Sequence, residues 1–212
     1  MNYLEIAGVL IGLLYLYLEY RASSWLWIAG VIMPAIYIFV YYDAGLYADM
    51  GISIYYILAS VYGLIIWIKE RDRSSLANPR SDNQERVGDT QNLQSEENKN
   101  RDAEGIKSLP GRYYLPIVVS IIILTAVIGF ILERLTDSTV PWADGFTTAV
   151  SIVAMWMLAK KYTQQWILWI IADLACSILY VYKELWFTGG LYLLYSIIAY
   201  FGYKRWQKIS TR

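Results

Sequence analysis

The 212-residue sequence has no histidine and one cysteine, Cys176. Without histidine there is no Ser–His–Asp or Cys–His nucleophile pair, and the usual zinc sites lose their commonest ligand. A single cysteine excludes a disulfide within the chain, and Cys176 reads as a small apolar packing residue. No GxxxxGK[ST] run occurs, so direct coupling to ATP is not expected. Formal net charge is zero, which gives a nucleic-acid partner no support. No cofactor or metal is called for, and the chain is not expected to be an enzyme. An intramembrane enzyme would need a second carboxylate or a nucleophile–base pair at depth.

What is present is hydrocarbon. Hydrophobic residues make up 57% of the chain and aromatic residues 16%, against about 45–50% apolar in ordinary soluble domains. The surplus falls into blocks close to the roughly 20 residues that a helix needs to cross a bilayer. Seven spans are predicted: Tyr3–Tyr20, Trp25–Tyr42, Gly51–Lys69, Tyr113–Glu133, Ala143–Lys161, Gln165–Tyr182 and Trp186–Trp206. The first has no positive n-region and no small-residue cleavage site, so it does not read as a signal peptide. The fold class expected is an all-α membrane protein with seven transmembrane helices.

Between the third and fourth spans, residues 70–112 are rich in Ser, Asn, Asp, Glu, Arg and Gln. Such a segment buries too little to fold and is expected to be a disordered polar tether. The Pro141-Trp142-Ala143-Asp144 stretch suits the start of a helix. Lysine and arginine then orient the chain. With seven spans, 16 of the 18 basic residues fall on one side, and only Arg134 and Lys183 fall on the other. The N-terminus should face out and the C-terminus the cytoplasm, as in a multi-pass membrane protein.

A shift of 139 residues lays the chain over itself without a gap. Trp27 falls on Trp166, Tyr41 on Tyr180, Leu46 on Leu185 and Tyr47 on Trp186. Gly51 falls on Gly190, Tyr56 on Tyr195, Tyr62-Gly63 on Phe201-Gly202, Trp67 on Trp206 and Lys69 on Lys208. The expected organisation is therefore a three-helix repeat over 1–69, the tether over 70–112, a connecting helix over 113–133 and a second repeat over 141–208. One extra helix restores the direction of the second copy. This gives a 3+1+3 arrangement of parallel repeats, and transporters built this way place the substrate at the repeat interface near the midplane.

Asp173 sits eight residues into an eighteen-residue apolar span. A charge at that depth costs about 2.5 kcal/mol or more and normally faces a bundle interior or a wet cavity. Trp166, Trp169 and Asp173 share one helix face, as do Cys176 or Ser177 and Tyr180. Under the 139-residue shift Asp173 falls on Pro34 and Trp169 on Gly30. Pro34 cannot donate to the carbonyl of Gly30, so this pair is a candidate hinge with a freed backbone acceptor. Ser53, Tyr56 and Ser60 share a face, as do Tyr192 and Tyr195. Tyr56, Ser60 and Tyr195 are taken as pocket-lining candidates. Trp67, Trp206, Lys69 and Lys208 read as interfacial anchors. Indole faces beside a carboxylate favour a flat organic cation. An anionic nucleotide would want arginine or lysine at depth, and none is there.

At these residues the chain resembles the PnuC family of bacterial vitamin transporters. The matching pieces are the WxxW of Trp166–Trp169, the LYAD of Leu46–Asp49 and the two YG/FG-x3-W endings, and the likeness covers both repeats. It implies the 3+1+3 fold, reminiscent of SWEET-type sugar transporters. It implies uptake of nicotinamide riboside by facilitated diffusion, with a cytoplasmic kinase trapping the vitamin. Other branches carry thiamine or riboflavin. Trimers are expected in the family. Riboside carriers place asparagine four residues after the second tryptophan, where this chain has Asp173. That departure keeps thiamine, also a cationic aromatic vitamin, as the alternative substrate. A receptor or scaffold is the more distant alternative. The expected partners are a small cationic vitamin, membrane lipid and further copies of the chain.

Overall fold

The structure is a computed structural model that describes residues 3–43, 47–77, 105–136, 139–182, 184 and 186–211. Seven α-helices and one short 3-10 turn account for the regular structure among these residues. They are α1 (Tyr3–Tyr20), α2 (Trp25–Asp43), α3 (Tyr47–Ala77), α4 (Tyr114–Leu135), α5 (Pro141–Ala159), α6 (Gln165–Tyr182) and α7 (Trp186–Ser210), with the 3-10 turn at Gly111–Tyr113. Each expected span is a helix. Gly51–Asp72, Gly111–Leu135, Pro141–Ala159 and Gln165–Tyr182 are long and apolar enough to cross a membrane. Large apolar side chains face outward along them, among them Leu58, Leu115, Ile122, Phe130 and Ile178. That is the pattern of a protein whose solvent is lipid, since only intra-segment hydrogen bonding keeps backbone groups satisfied there.

Contacts divide the chain into two compact units, Met1–Gly105 and Ile106–Arg212. In the first, α2 packs on both α1 and α3. In the second, α5 lies between α4 and α6, and α6 pairs with α7. Helix α5 begins with Pro141 at its first turn and Asp144 close behind, as its sequence predicts. It is the most enclosed helix, burying nine residues from Gly145 to Ala159. Its pairing with α4 runs through glycine: a Cβ on Gly145 would lie 2.8 Å from the backbone nitrogen of Gly129. Small residues let helices approach this closely in a membrane, where no hydrophobic drive brings them together.

The α1–α2 and α5–α6 turns are built alike, bond for bond. After α1, Ser23 N–H donates to Leu18 O and Ala22 N–H to Glu19 O, both at 2.9 Å. After α5, Tyr162 N–H donates to Met157 O and Lys161 N–H to Leu158 O, again at 2.9 Å. These are the paired bonds of a Schellman helix end. The left-handed residue is Ala22 at φ 52° in one turn and Lys161 at φ 56° in the other. The next helices then start with Leu26 N–H on Ser23 O and Gln165 N–H on Tyr162 O, at 3.0 and 3.1 Å. Every residue here is paired with one 139 positions on.

The helix ends extend beyond the apolar runs. Helix α3 continues to Ala77 and α7 to Ser210, because Lys, Glu, Arg and Gln are good helix formers outside the bilayer. The tether expected over 70–112 is correspondingly shorter on both sides. Its far end is fixed: Ile106 and Leu109 are buried, and Lys107 pairs with Tyr162 in an isolated parallel bridge. Lys107 N–H donates to Lys161 O, Thr163 N–H to Lys107 O, and Leu109 N–H to Gln164 Oε1 at 2.8 Å. Leu109 joins Val153 and Met157 in a small apolar core. Residues 78–104 of the expected tether lie outside the described residues, as does Leu46 of the LYAD stretch.

Candidate functional site

Helix α6 carries the buried carboxylate. Asp173 is 8% exposed, and no hydrogen bond or ion pair reaches it from another described residue. Its electrostatic neighbours are phenols on α7, Tyr192 and Tyr195. The α6–α7 contact brings them there. Gly189 of α7 lies so close to α6 that a Cβ would sit 2.8 Å from Val181 Cγ2, and Ser177 Oγ donates to Gly189 O at 2.8 Å.

Above this contact the aromatic rings form one group. Tyr180 and Tyr192 stack with centroids 5.1 Å apart and planes at 19°, with their hydroxyls in electrostatic reach of each other. Tyr195 meets Tyr192 edge-on at 5.8 Å. Cys176 lies within reach of Tyr192 as well. Trp169 is one turn from Asp173 on the same face, half-buried, with its indole N–H enclosed and unbonded. The structure thus brings Asp173, Cys176, Tyr180 and Tyr195 around Tyr192, with Trp169 one turn along α6 from Asp173. The central ring, Tyr192, is legible only as a residue sharing Tyr195's helix face.

Trp166 is not part of this group. It is 0% exposed, its ring lies edge-on to Trp206 at 5.8 Å, and it covers Gly202. Trp166 thus packs α6 against α7. The anchor reading of Trp67 and Trp206 is overturned: they are 1% and 0% exposed. Trp67 does in the first unit what Trp206 does in the second, meeting Trp27 edge-on at 5.6 Å, and the Trp27 ring covers Gly63. An anchor would reach into the headgroup layer, whereas these indoles close on each other.

In the first unit, α2 passes through Pro34 as one continuous helix. The carbonyl freed at Gly30 is taken by Ser60 Oγ, which donates at 3.1 Å from α3. A Cβ on Gly30 would lie 2.6 Å from that oxygen. Ser60, only 1% exposed, therefore satisfies a backbone acceptor inside the unit, and Gly30 permits the approach. The α2–α3 crossing is thus hydrogen-bonded at Gly30, four residues before Pro34. Tyr56 tilts against Tyr55 at 5.6 Å and lies within electrostatic reach of Tyr15, which is also near Glu19. Glu19 is buried at the end of α1, and its place in the sequence, beside Tyr20 and Arg21, gives no sign of that.

Known proteins share this architecture. A family profile described as "Nicotinamide mononucleotide transporter" matches residues 2–208. The "Nicotinamide riboside transporter PnuC" of Neisseria mucosa is 32% identical over 114 residues, covering 50% of this chain and 42% of that protein. The protein of the same name from Escherichia coli is 25% identical over 89 residues, covering 42% of this chain and 37% of its own length. The chain thus aligns with less than half the length of these curated relatives. A solved structure, "Crystal structure of the Vitamin B3 transporter PnuC", superposes with a TM-score of 0.65 at 25% identity, covering 96% of this chain and 80% of that one. With the profile spanning nearly every residue and the helices matching a solved member, the chain belongs to the nicotinamide mononucleotide transporter family.

Proposed function

We propose that this chain carries nicotinamide riboside across the bacterial cytoplasmic membrane by facilitated diffusion, with phosphorylation in the cytoplasm preventing its return. The observation that carries the reading is Asp173: a buried carboxylate with no ion pair from a described residue, one turn from Trp169 and facing Tyr192 and Tyr195. An unpaired acid beside π faces is the complement of a cationic ring. The Trp169 ring supplies a platform for a pyridinium, and the carboxylate and phenols supply partners for ribose hydroxyls. The names borne by the relatives favour nicotinamide riboside over thiamine. The family's printed name points to the phosphorylated form, yet among the described residues lysine and arginine fall only in turns and near helix ends. An anionic nucleotide would lack a counter-charge at the level of Asp173.

The same proposal includes the 3+1+3 parallel repeat, the N-terminus outside and assembly into trimers. The matched turns after α1 and α5, and the matched Trp–Trp–Gly clusters, support the repeat. The test is a titration of purified protein, followed by tryptophan fluorescence, with nicotinamide riboside, thiamine and nicotinamide mononucleotide in parallel. Saturable one-to-one binding of nicotinamide riboside, tighter than the other two, is the expected result. Preference for thiamine or the mononucleotide would replace the substrate, and no binding of any of the three would return the chain to the receptor or scaffold class.

A further inference from the structure

Gln165 stands at the start of α6, 0% exposed, with neither its Oε1 nor its Nε2 hydrogen-bonded. Leaving both ends of a carboxamide dry and unpaired is costly, so a residue kept in that state calls for an explanation. Its neighbour Gln164 shows the ordinary alternative: that side chain accepts the Leu109 N–H at 2.8 Å.

The first unit serves as an internal control. The residue 139 positions earlier is Leu26, also 0% exposed, at the matching place after the same turn and beside the matching tryptophan. Packing there is met by hydrocarbon alone. The difference is not isolated. Along α6 at intervals of four residues stand Gln165, Trp169 and Asp173, and their counterparts on α2 are Leu26, Gly30 and Pro34. Residues four apart lie on one helix face. The second unit has therefore replaced one row of packing residues with a row of carboxamide, indole and carboxylate. The row is about 12 Å long at 1.5 Å per residue, with the aromatic platform at its middle.

We infer that Gln165 is a substrate-contacting residue, pairing with the carboxamide of the pyridinium ring when the α5–α6 end of the second unit opens. The inference rests on the nicotinamide riboside reading above. A primary carboxamide offers one acceptor and two donors, so Gln165 and the solute's amide are mutually complementary. In the present conformation no solvent reaches the group, which stands next to the turn that holds the Ile106–Pro110 strap. It thus marks a station nearer that end than Asp173.

The test measures uptake into vesicles of nicotinamide riboside and of the pyridinium riboside lacking the carboxamide. Wild type is compared with Gln165→Leu, which copies Leu26, and with Gln165→Asn. Wild type should favour the carboxamide-bearing solute. Gln165→Leu should keep or raise the thermal midpoint, lower nicotinamide riboside uptake by about tenfold or more, and bring the two solutes level. Gln165→Asn should restore part of the preference. A Gln165→Leu protein that folds and keeps the wild-type ratio overturns the inference while leaving the transport reading intact. Wild type that moves neither solute overturns the transport reading, and this inference falls with it.

Discussion

Trp166 meets Trp206 edge-on, with centroids 5.8 Å apart and planes at 84°, over a glycine that leaves room for nothing else. Trp27 and Trp67 repeat the relationship in the first unit at 5.6 Å and 85°. Four fully enclosed indoles make these clusters the largest packing elements of the two units.

Replacing Trp206 with alanine should therefore cost stability, not affinity. Removing a buried tryptophan typically costs about 3–5 kcal/mol. The expected outcome is a markedly lower thermal midpoint in detergent, with the folded fraction binding nicotinamide riboside as wild type does. Loss of binding at unchanged midpoint would place Trp206 on the substrate path instead.

Gly202→Ala tests the same cluster from the other side. Its Cβ would lie 2.7 Å from the Trp166 ring, and overpacking of this kind typically costs about 1–3 kcal/mol. Gly63→Ala, pressed on Trp27, should behave alike. By contrast, Gly190→Ala meets nothing within 4 Å and should leave the midpoint close to wild type. If all three variants melt together, the close approach is not what fixes these glycines.

Ser60→Ala should destabilise the first unit by about 1–3 kcal/mol, because it strands the Gly30 carbonyl that Pro34 has already deprived of its helical donor. Ser60→Thr keeps the hydroxyl and should recover part of the loss. Exchange of α2 amides near Gly30, followed by mass spectrometry, should rise in the alanine variant. A carbonyl that faced a ligand path instead would show its effect in solute affinity, with the midpoint unmoved.

The helices are legible because a bilayer imposes one length and one composition, and α1 and α6 begin and end where the apolar runs do. The 139-residue offset is legible from Trp27 on Trp166 onward, but the recurring turns are not, since Ala22 stands opposite the dissimilar Lys161. Rotation about a helix axis is less legible. A tryptophan near a helix end suits a headgroup layer and a helix–helix seam equally well, and only the glycine opposite it decides. Gly63 and Gly202, matched in the same alignment, carry that signal. The strap at Ile106–Pro110 rests on long-range backbone bonds to the α5–α6 turn, which composition does not encode. Gln165 is visible only when its row is compared with Leu26, Gly30 and Pro34.

The strap also fixes a topological expectation. Ile106–Pro110 is bonded to the Lys160–Gln164 turn, so both must lie on one side of the membrane. Cysteines placed at Ser108 and Lys160 in a Cys176→Ser background should be labelled from the cytoplasmic side alone by an impermeant maleimide. Labelling of either from outside would reverse the orientation drawn from lysine and arginine.

Asp173 is the decisive position for substrate choice. Asp173→Asn preserves shape and hydrogen-bonding capacity but removes the charge, and it recreates the residue expected of riboside carriers in the family. Asp173→Ala removes both. Truncating one side of a buried charged contact typically costs about 2–5 kcal/mol, so Asp173→Ala should weaken nicotinamide riboside binding roughly 30-fold or more. If the carboxylate acts through ribose hydroxyls, Asp173→Asn should retain most of the affinity; if it acts as counter-ion to the pyridinium, Asp173→Asn should fall nearly as far as alanine. Fluorescence titration of the two variants separates these cases. Wild-type affinity in Asp173→Ala would remove the carboxylate from the site, and a merely structural acid would show instead as a shifted midpoint with binding intact.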